Sequence, residues 1–452
     1  MSRESSLDEA CRTDGGCPAS ERDNIDGYEA MRIVTFIGGG AAVFGAALAA
    51  FGFYSAAHSN AASLTPWIGA GSAGCAVANR MSADPHTRVL VLDAGGNDRS
   101  PWVRMPIGYG KSFYHPTLNW RYLSEPVPGL GGRQAYCPRG RVIGGSSSIN
   151  AMVFSRGQPE DFDEWEALGN PGWSYRDVLP VFRRMEDNMA GEDEWRGMGG
   201  PLSVSDVSAS VHPLCRNFID AGTAAGLPRN PDFNGERQEG VGVYQITTRN
   251  GWRASAASAY LRPVMRRANL RVLVKARATR ILFDGRRATA VEYARDGRTF
   301  TVRIRKELVV SAGAVNTPQL LQLAGGRAPE LLKRHGNGIV HALPKVGENL
   351  QDHLGFDYLY RSRRPTLNNQ LRPWWGRLIV GAHYLLTRGG PLALSVNQAG
   401  GFFRTDPARA RSNMQLYFSP LSYIRATPGK RQLMRPDPYP GFLLGVSNCH
   451  PK

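Results

Sequence analysis

Paired cysteines, metal-ligand clusters and blocks of alternating basic and aromatic residues are all missing from this 452-residue sequence. Its six cysteines stand at positions 11, 17, 75, 137, 215 and 449, with no Cys-x-x-Cys pair and no histidine at ligand spacing. That excludes a zinc ribbon, leaves no metal site to expect and points to a reduced compartment, with Cys11 and Cys17 free to pair only if the leader is exported. Acidic residues are scarce: 38 Asp and Glu face 55 Lys and Arg, for a net charge of +17. A field of that sign attracts polyanions. The basic residues are mostly arginine and scattered, densest at Arg361, Arg363 and Arg364 and between Arg266 and Arg305, so no nucleic-acid partner is expected.

The hydrophobic share of 42% and charged share of 21% are those of a globular protein. The chain exceeds the roughly 250–300 residues at which one hydrophobic core stops growing, so two domains are expected. Residues 1–31 are polar, acidic and aperiodic, the composition of a disordered leader. Residues 33–57 then run without a charged side chain, long enough at about 1.5 Å per residue to cross a bilayer core. Two readings stay open there: a membrane helix, making the protein membrane-associated rather than cytoplasmic, or an upstream or out-of-frame extension joined to the domain. A dinucleotide fold needs a buried strand just before its first glycine, and Pro66 sits where that strand belongs, a residue unsuited to a central ladder. The sequence therefore reads as regular from Ile68 onward and irregular before it.

Gly69, Gly71 and Gly74 spell Gly-x-Gly-x-x-Gly ahead of small and apolar residues that suit a helix packed closely on a sheet. The first glycine permits the tight turn, the second lets backbone approach a pyrophosphate, and the third lets helix and strand touch. Ser72 opens the helix, whose N-terminus offers free N–H groups and a positive dipole end. Thr87–Leu92 reads as a strand ending in Asp93, about twenty residues past the last glycine, where a carboxylate would accept ribose hydroxyls and reject a 2′-phosphate. Asp93 as a plain strand-end cap is the competing reading.

Within the stretch from Tyr136 to Asp163, a double glycine, three consecutive serines and an asparagine (Gly144, Gly145, Ser146, Ser147, Ser148, Asn150) make a tight polar turn. The stretch resembles, nearly position for position, the first signature of the glucose-methanol-choline (GMC) family of flavin oxidoreductases. The resemblance implies an α/β fold: a Rossmann-type FAD-binding domain with a second, α+β substrate domain built on an antiparallel sheet. It implies FAD contacts at Val142, Gly145, Asn150, Ala151, Met152 and Val153. Glycines let backbone lie against a flat ring, and serine hydroxyls and amides can hydrogen-bond the ring edge that gains charge on reduction. No histidine lies between Val142 and Val153, so the FAD is expected to be non-covalent. Asn269–Phe283 reads as paired strands, in which the family's valine beside the adenine is replaced by Ala278. Ser311–Leu323 resembles the second signature, which departs at Ala324–Arg327 and resumes at Pro329 and again from Pro344 to His353. Asp352 and His353 could form an acid/base pair, although a structural role is the plainer reading.

Strand-like pieces at 201–244 and from Phe356 onward, Asn413–Pro420 clearest among them, are expected to roof the flavin. Trp374, Trp375, Tyr384, Tyr417 and Phe418 would line an apolar pocket or serve as core. The expected division is an extension over 1–62, an FAD-binding domain over 63–200 and 245–350, and a substrate domain over 201–244 and 351–452. The family places its catalytic histidine, followed by a histidine or asparagine, beyond the region that matches Lys452, so the catalytic residues are left unassigned and the chain is expected to be truncated. His450 matches a sheet position, not the base. The resemblance implies an FAD-dependent dehydrogenase of a small alcohol or choline-like substrate, with the electron acceptor open; an inactive flavin-binding remnant and a non-redox lyase are the alternatives.

Overall fold

The computed structural model describes residues 63–424 and 435–450, so the polar leader and the apolar run 33–57 lie outside the described residues. Strand β1 (Ser63–Ile68), helix α1 (Ser72–Met81) and strand β2 (Thr87–Leu92) form one unit in which β1 and β2 run parallel, Ser63 opposite Thr87 and Ile68 opposite Leu92. Continuous apolar runs suit strands covered on both faces; Trp67, Val89, Val91 and Leu92 are at most 2% exposed. Further along come β3 (Gly240–Val243), β4 (Leu270–Leu273), β5 (Arg277–Asp284), β6 (Arg287–Arg295), β7 (Arg298–Arg303) and β8 (Val309–Val310). The parallel sheet has the order β4-β2-β1-β8.

β1 is a central strand despite Pro66, and the expected irregularity before Ile68 is corrected by the direction of its N–H groups. Gly69 N–H donates to Leu92 O at 2.8 Å, so in an alternating strand Thr65 and Trp67 also face β2, while the Pro66 nitrogen faces β8. There the pairing covers only Trp67 with Val309 and Ile68 with Val310. Pro66 therefore stands where its side of the ladder has not yet begun and gives up no strand bond.

A second correction concerns Asn269–Phe283, whose halves do not pair. β4 joins β2, whereas β5 leads the antiparallel meander β5-β6-β7. Lys275, at φ +54, makes the turn between them. Its N–H donates to Gly95 O at 2.7 Å and that of Ala276 to Asp93 O at 2.8 Å, which lays Ala276–Ala278 beside the β2 loop.

Helix α2 (Gly313–Leu323) follows β8, and β9 (Leu354–Arg361), α3 (Trp374–Thr387), β10 (Ala399–Phe403), β11 (Met414–Ser419) and β12 (Gly441–Asn448) complete the chain. They form an antiparallel sheet of order β9-β12-β11-β10-β3, with β3 contributed from far upstream. β12 buries Gly441, Leu443, Gly445 and Ser447 in alternation, as a strand with one covered face does. The architecture is thus the expected one, a parallel α/β sheet beside an α+β unit on an antiparallel sheet. Among the described residues no helix is long and apolar enough to cross a membrane.

Candidate active site

Three loops converge at the ends of β1 and β2. Gly69 has φ +99, and a Cβ there would lie 2.4 Å from Ser311 O; a Cβ on Gly74 would lie 1.8 Å from Gly69 O. Both positions must be glycine for α1 to start against the strand end. Gly71 differs, because a Cβ there would meet only Ser311 O at 3.9 Å and would otherwise point into open space. That space is a cavity of about 750 Å³.

The second loop packs directly on the first. Gly144 and Gly145 adopt φ +85 and +54, and Gly144 N–H donates to Ala70 O at 2.7 Å. A Cβ on Gly145 would lie 2.8 Å from the Gly71 Cα. The serines, expected to face the ring, also brace the turn from within, and Ser146 and Ser147 line the cavity. Ser147 Oγ donates to Gly144 O at 2.6 Å, Ser148 Oγ donates to Ile143 O at 2.8 Å, and Ser146 Oγ accepts Gly140 N–H at 3.2 Å. Glycines at positive φ turn carbonyls away from any ladder, and the neighbouring hydroxyls satisfy them. Met152 takes φ +63, which costs a non-glycine residue about 1–2 kcal/mol. Its N–H bonds Asn150 Oδ1 and its carbonyl accepts Thr247 N–H, holding Asn150–Val153 along the cavity wall.

The third loop is organised by Asp93. One carboxylate oxygen accepts Ala70 N–H and the other Gly95 N–H, each at 2.7 Å. Burial pushes the carboxyl above its usual range, opposed by these two N–H groups and by Arg141. Asp93 is thus the strand-end cap as well as a cavity residue, with one lone pair on each oxygen left over.

Of the residues singled out from the sequence, Gly69, Gly71, Ser72, Asp93, Gly145, Asn150, Ala151, Met152, Val153 and Ala278 all line this one cavity. Gly74 and Val142 are not part of its lining; Val142 is buried behind it with Val103, Leu118 and Ile149. Tyr417 lines the far end, whereas Phe418 is core, stacked on Phe218, and Tyr384 is buried. Trp374 and Trp375 are neither pocket nor core, being 67% and 55% exposed.

Several lining groups carried no role in the sequence reading. Ser311–Asn316, the β8–α2 turn, forms one wall, and the Tyr122 hydroxyl donates to Asn316 Oδ1 at 2.6 Å across it. Trp120 stacks on Tyr122 under the Arg141 guanidinium. The close match of Ser311–Leu323 to the second signature was the available signal. At the far end lie Asp352, His353, Asn397, Gln415 and Tyr417. Asp352 pairs with Arg139 at 3.3 Å. Partial desolvation lowers the His353 imidazole below the usual histidine range, opposed by Asp352. Burial raises the Tyr417 phenol, which donates to Gln415 Oε1. His450 lies outside the lining, 3.9 Å from Asp161. Among the described residues no cluster could hold a metal ion.

A family model described as GMC oxidoreductase matches residues 62–355, which contain all three loops. The chain belongs to the GMC oxidoreductase family. It is 44% identical to an oxygen-dependent choline dehydrogenase of Rhizobium etli over 355 residues, covering 78% of this chain and 64% of that one. It is 42% identical to an alcohol dehydrogenase [acceptor] of Pseudomonas putida, covering 79% and 65%. It thus spans about two thirds of the length of these curated relatives. Among solved structures, pyridoxine 4-oxidase from Mesorbium loti superposes with a TM-score of 0.74 at 30% identity, covering 86% of this chain and 71% of that one. A formate oxidase gives 0.76 at 22% identity, covering 86% and 73%, a likeness of fold alone.

Proposed function

We propose that this chain holds non-covalent FAD in the cavity between its two glycine turns and oxidises the CH–OH group of a small alcohol. The FAD would accept hydride from the carbinol carbon. The observation that carries this is the contact of Gly145 with Gly71 on one shared cavity. A diphosphate fits beside Gly71, where no Cβ intrudes and where the first N–H groups of α1 have no intrahelical partner. Asp93 keeps lone pairs for ribose hydroxyls, and Ala278 offers main chain to the adenine. Asn150–Val153, fixed by the Met152 conformation, supplies the flat wall for the ring.

At the far end the hydroxyl proton needs an acceptor and the oxygen a donor. His353, held neutral, can accept a proton. Asn397, whose Oδ1 takes the Ser419 hydroxyl, keeps its amide hydrogens for an oxygen. The named relatives, a choline dehydrogenase and an alcohol dehydrogenase, favour an alcohol or choline-like donor. The test is optical. The purified, desalted chain should absorb near the flavin maximum and bleach anaerobically with one of a panel of alcohols. A colourless protein that takes up no added FAD would refute the cofactor assignment, and yellow protein that no alcohol bleaches would refute the reaction.

A further inference from the structure

Helix α3 carries an apolar face that no described residue covers. At 100° per residue, Trp374, Trp375, Leu378, Ile379, Leu385 and Leu386 share an arc of about 140°. They are 67, 55, 63, 63, 68 and 85% exposed. The opposite side is firmly seated: Gly376, Val380 and Tyr384 are buried, and the Tyr384 hydroxyl donates to Gly251 O at 2.9 Å. A single exposed leucine is ordinary, but six large apolar side chains in one stripe mark an interaction surface.

The sequence on either side of the helix says what kind. Between Asp357 and Asp406 there is no acidic residue, and there are seven arginines. Of these Arg361, Arg363, Arg364, Arg372 and Arg377 are exposed. Lys111, over the Trp102 ring at 3.7 Å, joins them: burial and the neighbouring Arg377 hold its ammonium below the usual lysine range. We infer that α3 lies flat on an anionic lipid surface, its tryptophan and leucine face in the acyl boundary and the arginines among the headgroups.

The geometry separates this from other occupants. The helix has 14 residues, about 21 Å of length against a hydrocarbon core of about 30 Å, so it can lie on a bilayer and cannot span one. A second copy docked about a two-fold axis would bring the same arginines against each other. Paired tryptophans at one end with arginines on the rim are the composition of an interfacial helix.

The full chain is tested by co-sedimentation with vesicles of phosphatidylcholine alone or mixed with phosphatidylglycerol. Binding should require phosphatidylglycerol and weaken with salt. The exposed triple substitution Trp375→Gln, Leu378→Gln and Leu386→Gln should cut partitioning about tenfold or more with the melting temperature unchanged. Arg372→Glu with Arg377→Glu should remove the preference for the anionic lipid. The inference is overturned if the wild-type chain ignores both vesicles, or if the triple variant binds as well as wild type, which would place the binding elsewhere, as in residues 33–57. It is equally overturned if the chain is an oligomer that the triple substitution dissociates, since α3 would then be a self-association face. None of these outcomes depends on whether the chain holds FAD.

Discussion

Gly145 and Gly71 are in backbone contact across two loops more than seventy residues apart: a methyl group on Gly145 would sit 2.8 Å from the Gly71 Cα. Each turn therefore shapes the other, and the cavity between them exists only when both are made.

The three glycines of the first turn should separate by experiment. Gly74→Ala drives a methyl group into Gly69 O at 1.8 Å and is expected to cost about 3 kcal/mol or more, since backbone cannot yield as a side chain can. Gly71→Ala meets nothing closer than 3.9 Å and keeps an allowed backbone conformation. Its melting temperature should stay near wild type while flavin retention falls, and Gly71→Asp, which adds charge at the same place, should abolish retention. Loss of stability in Gly71→Ala, or undiminished flavin after desalting in Gly71→Asp, would show that the space beside Gly71 is not the diphosphate site.

Asp93 yields a pH prediction. Its carboxyl is raised by burial, so on acidification the folded state takes up the proton before the unfolded state does. The site's contribution is then greatest below the unfolded carboxyl value near 4 and declines as pH rises through the folded pKa. Asp93→Asn lacks this titration. It also turns an amide NH2 toward one of two N–H donors, at a cost of about 1–3 kcal/mol. The stability advantage of wild type over Asp93→Asn should therefore shrink as pH is raised from about 4 toward neutrality. A gap that widens over that range in urea titrations would contradict the buried clasp.

What the sequence made legible and what it hid divide along a physical line. Turns announced themselves, because a positive φ or a close backbone approach restricts a position to glycine whatever lies around it. Gly69 and Gly145 were placed that way, whereas Asn150–Val153 and Ala278 came from the family resemblance; together with the rest, ten of the twelve predicted positions line the cavity. Features set by the partner across a gap did not. Pro66 looked incompatible with a central strand because the sequence does not show which neighbour its nitrogen faces. Trp374 and Trp375 read as pocket or core because apolar residues seek cover, and nothing in their spacing says which helix face is seated. Arg253 gave no signal, yet its buried guanidinium donates to Val103 O, Ser147 O and Asn150 Oδ1 at 2.9, 3.2 and 2.7 Å, fixing the second turn from behind.

Glu186 is the strongest test of how the Asn150–Val153 wall of the cavity is supported. It is fully buried between Arg156 and Arg196, each with side chains 2% exposed, and bonds both. Arg156 lies three residues past Val153 on the segment that runs out of the cavity wall, and Arg196 also reaches Asp232 at 2.8 Å. Arg196 keeps Asp232, but among the described residues Arg156 pairs with no carboxylate other than Glu186, so its guanidinium is tolerable in the interior only while Glu186 is charged. Glu186→Gln leaves the shape intact and removes the charge, so it should cost about 3–5 kcal/mol, the usual penalty for an uncompensated buried ion. It should appear as a lower urea midpoint at unchanged slope. Because Phe154 N–H donates to Gln245 O and Arg196 bonds the Gln245 side chain, the loosening should reach Val153 and speed flavin loss. A midpoint within experimental error of wild type would mean that solvent, not Glu186, compensates Arg156.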